Sequence, residues 1–415
     1  MGWDEEAGRC RSRLARCARY HPGVFAPIPD ILDDLRAGKF IILVDDEDRE
    51  NEGDLVLAAQ HATPEKIQAM LRLAGGYLCL SLTEADCDRL ALHAQSADNT
   101  SVRGTPFTVS IDGHPRHGVG TGVSAPDRAK TIAMAIDPES RPEDFVRPGH
   151  INPLRSRDGG VLVRMGQTEG SVDLARLAGL HPSALIIEIV REDGQMARRP
   201  DLEKMCIQHG LKMCSVEQLI RHRLERDCIV QRIEPVRGEP LRTDVGTFNL
   251  MTFRSLVDPL PHLVLTMGDV GALDARGLPI PDQRPTMVRM HRRNLLGDVF
   301  GDLSSSPEAP THDLLRASMR AIAREGRGAI VYLRPMGQGD ALDQRVQLLG
   351  SGAERAGSAV SVPMHLREYG VGGQILRALG LSKLRLLTNH PKALPGLDAF
   401  GLEIVEHVAL DLRVQ

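Results

Sequence analysis

Residues Ile41–Val56 read IILVDDEDRENEGDLV. Four apolar residues, Ile41 to Val44, stop at seven acids within ten positions: Asp45, Asp46, Glu47, Asp48, Glu50, Glu52 and Asp54. Charge runs are usually solvated faces or tails. This one is bracketed by apolar segments, Phe40–Val44 and Leu55–Ala59, so it reads as a loop inside a folded domain. Gly53 supplies a residue free to turn sharply. Like charges at this density repel unless solvent or cations offset them. Carboxylate oxygens at a strand end suit hard divalent cations, so the loop is a candidate magnesium site.

Outward from that loop, the whole chain bounds the answer. At 415 residues it is long for one domain, and two are expected. Hydrophobic residues make up 42% and charged residues 26%, the balance of a globular protein. A net charge of −4 gives no electrostatic case for nucleic acid or an anionic membrane surface as partner. No apolar run reaches bilayer-spanning length. The first residues, MGWDEEAGRCRSRLARCARYHPG, carry arginines but no apolar core of a secretory signal. Residues 1–27 are therefore read as an extension of low order, and a cytoplasmic location is expected. Seven cysteines with no CxxC pair suggest neither a disulfide framework nor a clustered zinc site, and none follows Cys228.

The pattern along the chain is mixed α/β. FIILV and YLCLSL read as strands, and TPEKIQAMLRLAGG as a helix capped by Thr63. APDRAKTIAMAI reads as a helix and DPESRPEDFVRPGHINPL as a proline-rich loop. TEGSVDLARLAGL is helical and ALIIEIV a strand; RPDLEKMCIQHGL, KMCSV and VEQLIRHRLER complete a domain near residue 226. A second domain, 228–415, holds the strands HLVLTMGDV, AIVYLR and KLRLLT and the helices HDLLRASMRAIAREGRG and VGGQILRALGL.

The segments DDEDRENEGD, NTSVRGTPFTVSI, GVGTGVSAPDRAKTI, RPGHINPLRSRDGGVLVRMGQTEGSVDLARLAGL and IIEIVREDGQMAR occur in order within residues 28–226. Together they resemble 3,4-dihydroxy-2-butanone-4-phosphate synthase. GDVFGDL, AREGRGAIVYLR, LREYGVGGQILRALGL and LRLLTNHPKALPGLDAFGLEIVE resemble GTP cyclohydrolase II. The resemblance implies a fusion of the riboflavin pathway and an α/β fold with helices on a mixed sheet. It also implies a homodimer with sites at the subunit interface. The implied reaction takes ribulose 5-phosphate to formate and a four-carbon ketone phosphate, with Mg2+ (or Mn2+). Enolisation of such a sugar needs a base near a carbon acid and a metal at the developing oxyanion. Carried over by motif, Glu50 ligates the metal, and Arg49, Glu52 and Asp54 belong to the substrate-facing loop. His150, Glu188 and Glu52 are the expected catalytic groups, and Arg164, Gly166 and Thr168 the grip on the substrate phosphate. A buried acid closing an apolar strand, as Glu188 does, suits a raised pKa.

Two departures from the family pattern matter. The family's Arg-x-Gly-His-Thr reads RMGQT here, so Gln167 stands at the second metal-ligand position. An amide oxygen coordinates a hard cation but moves no proton near neutral pH. In the second half, HRRNLLGD and LSSSPE put Asn294, Ser305 and Pro307 where the family has its zinc cysteines. The phosphate grip has become Met336, Gly337 and Gln338; the proton-accepting aspartate is His365, although Arg367 remains; the late lysine is Ala393, beside Lys392. No catalytic zinc and no opening of GTP are expected of this half. Three readings stay open: a magnesium-dependent synthase carrying a degenerate cyclohydrolase domain, a diverged paralogue giving another product from ribulose 5-phosphate, and a non-catalytic binding or scaffold protein. Retained Arg49, Glu50, His150 and Glu188 argue against the last.

Overall fold

The structure, a computed structural model, describes residues 25–45, 49–101, 104–255, 258–303, 306, 309–334, 366–389 and 400–412. The chain divides into two compact units. One takes in the chain up to Arg155 together with Ser171–Val216; the other takes in Ser156–Gly170 together with the chain from Glu217 onward. Both are mixed α/β, as the pattern predicts. Among the described residues no helix is long and apolar enough to cross a membrane.

The first unit is built on seven strands: β1 (Ile41–Val44), β2 (Gly53–Ala58), β3 (Cys79–Leu82), β4 (Ile111–Gly113), β5 (Phe145–Arg155), β6 (Ala184–Glu188) and β7 (Lys212–Ser215). They form one sheet in the order β4-β5-β3-β6-β2-β1-β7. β1 runs antiparallel to β2 and parallel to β7, β6 is antiparallel to both β2 and β3, and β3 is parallel to β5. Every residue of β1, β2 and β3 is buried. That explains why they read as nearly continuous apolar runs rather than alternating ones.

Helices α1 (Ile28–Arg36), α2 (Pro64–Ala74), α3 (Glu84–Arg89), α4 (Ala125–Ile136), α5 (Gln167–Leu177) and α6 (Arg199–His209) accompany the sheet in the chain. α2 starts where Thr63 accepts the Lys66 N–H and stops at Gly75, which takes a left-handed φ of 75°. Its buried residues Ile67, Met70 and Ala74 join Ala129, Ile132 and Ala135 of α4 against Ile42, Leu55, Leu57, Leu80 and Ile187.

One expectation is corrected. The proline-rich stretch read as a loop contains β5, eleven residues long, running through Pro148 and Pro153. Proline removes a donor and is tolerated at irregular positions of a sheet. The β4–β5 ladder shifts register between Ile111 and Asp112, and β4 has only three residues, so few donors are demanded of β5 on that side.

The second unit carries eight strands: β8 (Val230–Ile233), β9 (Glu239–Thr243), β10 (Gly246–Ser255), β11 (Asp258–Met267), β12 (Thr286–Arg292), β13 (Gly328–Leu333), β14 (Lys383–Leu387) and β15 (Glu403–Val408). Their order is β15-β14-β12-β13-β11-β10-β8, with β9 on β10. Its described helices are α7 (Val216–Leu224), α8 (Leu295–Phe300), α9 (Thr311–Glu325) and α10 (Leu366–Ala378). Leu314, Ala317 and Ile322 of α9 pack with Phe248, Met287, Ile330 and Leu387.

Two glycines give a direct check on this packing. A Cβ on Gly149 would lie 2.0 Å from the Ile111 carbonyl carbon, whereas one on Gly104, at φ 61°, would meet nothing within 4 Å. Gly149→Ala is expected to destabilise by about 3 kcal/mol through backbone overlap. Gly104→Ala should cost only the left-handed penalty of about 1 kcal/mol. Urea unfolding of both variants measures this, and equal shifts would contradict the β4–β5 approach.

Candidate active site

The acidic loop is folded by one of its own acids. Asp45, with its side chain fully buried, accepts the backbone N–H of Glu50 at 3.0 Å and of Glu52 at 2.9 Å, and its carboxylate takes the Arg49 guanidinium at 2.8 Å. Asp45 is thus spent on shaping the loop. Arg49 turns back on its own loop and also reaches Glu50 Oε2 at 2.9 Å. Asn51 makes the bend with φ 56°. From the start of α6, Arg198 donates to the carbonyls of Glu50, at 2.8 Å, and of Asn51, and lies 3.9 Å from Glu52.

Strand register brings the other candidates together. Asp54 on β2 stands directly opposite Glu188 on β6. The β3–β6 ladder pairs Cys79 with Ile186, and extending it two residues puts Tyr77 opposite Glu188. The contact is real: the Tyr77 N–H donates to Glu188 Oε2 at 2.8 Å, and a Cβ on Gly76 would lie 2.3 Å from the Glu188 carbonyl oxygen. The β3–β5 ladder pairs Cys79 with Asn152, and the same extension puts Tyr77 beside His150. Asp54 and Glu188 are ladder partners and share a face, whereas Tyr77 precedes β3 and meets Glu188 through its backbone N–H. The Tyr77 hydroxyl donates to Asn152 Oδ1 at 2.7 Å and its ring meets Phe107 edge-on. His150 is held by Asp112, through Nδ1 at 2.7 Å and through its backbone N–H at 2.9 Å.

The electrostatics follow from this crowding. Asp54 is the fully buried acid, and burial first, then Glu188, Glu50, Glu52 and Asp45, push its carboxyl well above the ordinary value. Glu52 is raised too, by burial and then by Glu50, with Arg198 opposing. Glu188 is only half-buried. Burial, with Glu188 and Asp54 adding to it, holds the Cys79 thiol neutral well above its usual range. An all-oxygen set of mutually repelling carboxylates fits a hard divalent cation, which would offset the repulsion. Among the described residues no three His, Cys, Asp or Glu side chains already converge as a ligand set, and Asp46, Glu47 and Asp48 lie outside them.

The expected phosphate segment falls in Ser156–Gly170, which belongs with the second unit. Arg164 pairs with the fully buried Glu169 at 2.7 Å, whose other oxygen accepts the Arg157 N–H at 3.1 Å. A Cβ on Gly166 would lie 2.4 Å from Arg164 Nη1, so glycine makes room for that pair. Gln167 and Thr168, both buried, open α5.

In the second unit, Asn294 caps α8: its Oδ1 accepts the Gly297 N–H at 2.9 Å, and its own N–H donates to Asp298 Oδ2 at 2.9 Å. Asp298 also takes the His291 ring at 3.0 Å and the Tyr332 hydroxyl at 2.7 Å. Burial alone would raise the Asp298 carboxyl, but bonds from His291, Asn294 and Thr311 outweigh it and hold it below the ordinary value. A capping amide, with no thiol anywhere in residues 229–415, does not fit a thiolate-bound zinc. Ser305, Pro307, Met336, Gly337, Gln338, His365, Lys392 and Ala393 lie outside the described residues. Sequence reasoning missed Tyr77, Asp112 and Glu169, whose roles come from strand register and burial. The only local signals were Gly76 and Gly166, glycines next to polar residues in otherwise ordinary segments.

Known proteins match along both units. The family described as 3,4-dihydroxy-2-butanone 4-phosphate synthase matches residues 29–222, and that described as GTP cyclohydrolase II matches residues 234–409. The chain is 43% identical over 395 residues to "Riboflavin biosynthesis protein RibBA" of Aquifex aeolicus (strain VF5), covering 94% of this chain and 93% of that one. It is 42% identical over 390 residues to the protein of the same name from Phocaeicola vulgatus, covering 93% and 92%. Among solved structures it is similar to RibBX, "a two domain 3,4-dihydroxy-2-butanone 4-phosphate synthase from A. baumannii", with a TM-score of 0.74 and 34% identity over 93% of this chain and 100% of that one.

The Asp54 environment sets a pH dependence. Its folded-state proton affinity lies above the ordinary carboxylate value of 3.8, so its stabilising contribution is complete below that value and is lost as pH rises through the folded-state value. The Tm of metal-free protein is expected to fall as pH rises from about 4 through the folded-state value, with Asp54→Asn removing most of the fall. Mg2+ should raise Tm more at the higher pH, because a cation offsets the repulsion among the ionised carboxylates. Calorimetry of both proteins, with and without Mg2+, would show otherwise if the metal-free curves run parallel.

Proposed function

This chain belongs to the riboflavin-biosynthesis family that joins a 3,4-dihydroxy-2-butanone 4-phosphate synthase domain to a GTP cyclohydrolase II domain, and we propose that its first half converts ribulose 5-phosphate to the butanone phosphate and formate with Mg2+ (or Mn2+), while its second half does not open GTP. The proposed limits are 28–226 and 228–415, supported by the matched spans. A homodimer is part of the proposal on the family resemblance.

The observation that supports the reading is the ladder pair Asp54–Glu188, close enough to Glu50 and Glu52 of the acidic loop for their charges to raise the Asp54 carboxyl. In the proposed scheme His150, Glu188 and Glu52 move protons. An imidazole and an acid raised towards neutrality are the groups that general acid–base chemistry at neutral pH calls for. Glu50 and the amide oxygen of Gln167 are the proposed metal ligands, the second by its position in the family pattern. A bound cation would polarise substrate oxygens and offset the loop's charge. Arg49 and Asp54 would orient the sugar, and Arg164, Gly166 and Thr168 the phosphate.

For the second half, the supporting observations are the commitment of Asn294 to capping and the lack of thiols after Cys228. RibBX, titled as a two-domain synthase, matches over both halves.

Formate release from ribulose 5-phosphate with Mg2+, with the carbon product identified by ¹³C NMR, tests the first half in the native protein and in Gln167→His. Formate with the four-carbon ketone phosphate from the native protein is the expected result, with the histidine variant needing less Mg2+ for half-maximal rate. A different product, or none until histidine is restored, would replace this reading with that of a diverged paralogue. For the second half, metal analysis should find no stoichiometric zinc, and GTP should survive incubation; GTP opening would overturn that part.

A further inference from the structure

We propose that Gln374, on α10 of the cyclohydrolase-like half, is a positioning residue for the segment Ser156–Gly170, acting through Asp227 and Arg223, and so holds in place the residues proposed to grip the substrate phosphate. The inference rests on the proposed phosphate role of Arg164, Gly166 and Thr168 and adds what fixes them.

Gln374 is 7% exposed and spends its amide on three backbone groups. Nε2 donates to the carbonyls of Leu224 at 3.0 Å and of Asp227 at 2.7 Å, and Oε1 accepts the Ile229 N–H at 2.8 Å. A helix end leaves its last carbonyls without partners inside the helix, and Leu224 is the last residue of α7. One amide therefore fixes both the end of α7 and the turn that follows it. Gly370, one turn earlier on α10, makes the approach possible: a Cβ there would lie 2.5 Å from Leu224 Cδ1.

From this fixed turn the contacts run on to the segment. Asp227 Oδ2 takes the Arg223 guanidinium at 2.8 and 2.9 Å, and Arg223 Nη1 donates to the Gly159 carbonyl at 2.7 Å. Gly159 and Gly160, at φ 88° and 61°, turn the chain there. The Gly160 carbonyl then accepts the N–H groups of Val163 at 2.9 Å and of Arg164 at 3.1 Å. Arg223 thus holds the turn from which Arg164 departs. Within the segment, the Arg164 guanidinium and the Arg157 N–H meet on the buried Glu169, so its two ends are tied to each other. Every group in this line lies in one compact unit. A residue of the half for which no GTP opening is proposed is in this way connected to the proposed phosphate grip.

The test uses the full chain carrying Gln374→Leu and Asp227→Ala, singly and together. Hydrogen–deuterium exchange should run roughly tenfold faster over residues 156–170 in each variant, with β1, β2 and β3 unchanged. KM for ribulose 5-phosphate should rise roughly tenfold while kcat stays within about threefold, the split expected when binding rather than chemistry is lost. The double variant should be no worse than the worse single one, because both cut the same line of contacts. The Asp227 side chain is 31% exposed, and its removal leaves the carbonyl that Gln374 uses, so Asp227→Ala decides the matter if Gln374→Leu does not fold. Unchanged exchange over 156–170 in a folded variant would overturn the proposal. So would faster exchange with KM within about twofold of native, or exchange that quickens equally over both units. If the native protein releases no formate, the functional reading fails, and exchange alone decides the anchor.

Discussion

Asp54 and Glu188 face each other across the two central strands of the first unit, and the structure around them is an answer to that opposition. Like charges directly opposite in a sheet destabilise it. Sliding either strand by one residue would relieve the contact but would also turn every buried side chain of β2 or β6 to the wrong face. Leu55, Leu57, Leu185 and Ile187 are fully buried, so the apolar ladder holds the acids in register against their repulsion. Burial first, and then the neighbouring carboxylates, raise the proton affinity of Asp54 and Glu52. A site of this kind exchanges protons for a divalent cation, which is the electrostatic basis for the proposed use of magnesium.

The same constraint explains the acidic loop. Asp45 and two arginines from different parts of the chain, Arg49 and Arg198, tie the backbone around Glu50 and Glu52. The loop therefore presents chosen carboxylates rather than a diffuse negative surface. On β4, Asp112 does the equivalent for His150.

The second unit shows a buried polar cluster put to a different use. Asp298 gathers His291, Tyr332 and the Asn294 N–H, and Asn294 in turn caps α8. Hydrogen bonds hold the start of this short helix, in the segment where the resembling family places a cysteine ligand.

Much of this was legible in the sequence. Continuous apolar runs announced the buried strands of the first sheet, and Thr63 and Gly75 marked the ends of α2. The motif segments identified the family, because the order of several long matches leaves little room for coincidence. β5 was hidden, since two prolines read as a loop when the neighbour that tolerates them is out of sight. The partners of the site residues were hidden as well. Asp112 precedes His150 by 38 residues and Tyr77 precedes Glu188 by 111, and only strand pairing brings either pair into contact. Sequence by itself determined which residue types are present and which segments bury themselves, because both depend on composition and short periodicity. Tertiary structure decided which acid is buried, which is spent on shaping the loop and which way the histidine ring is held, because those follow from register between strands distant in the chain.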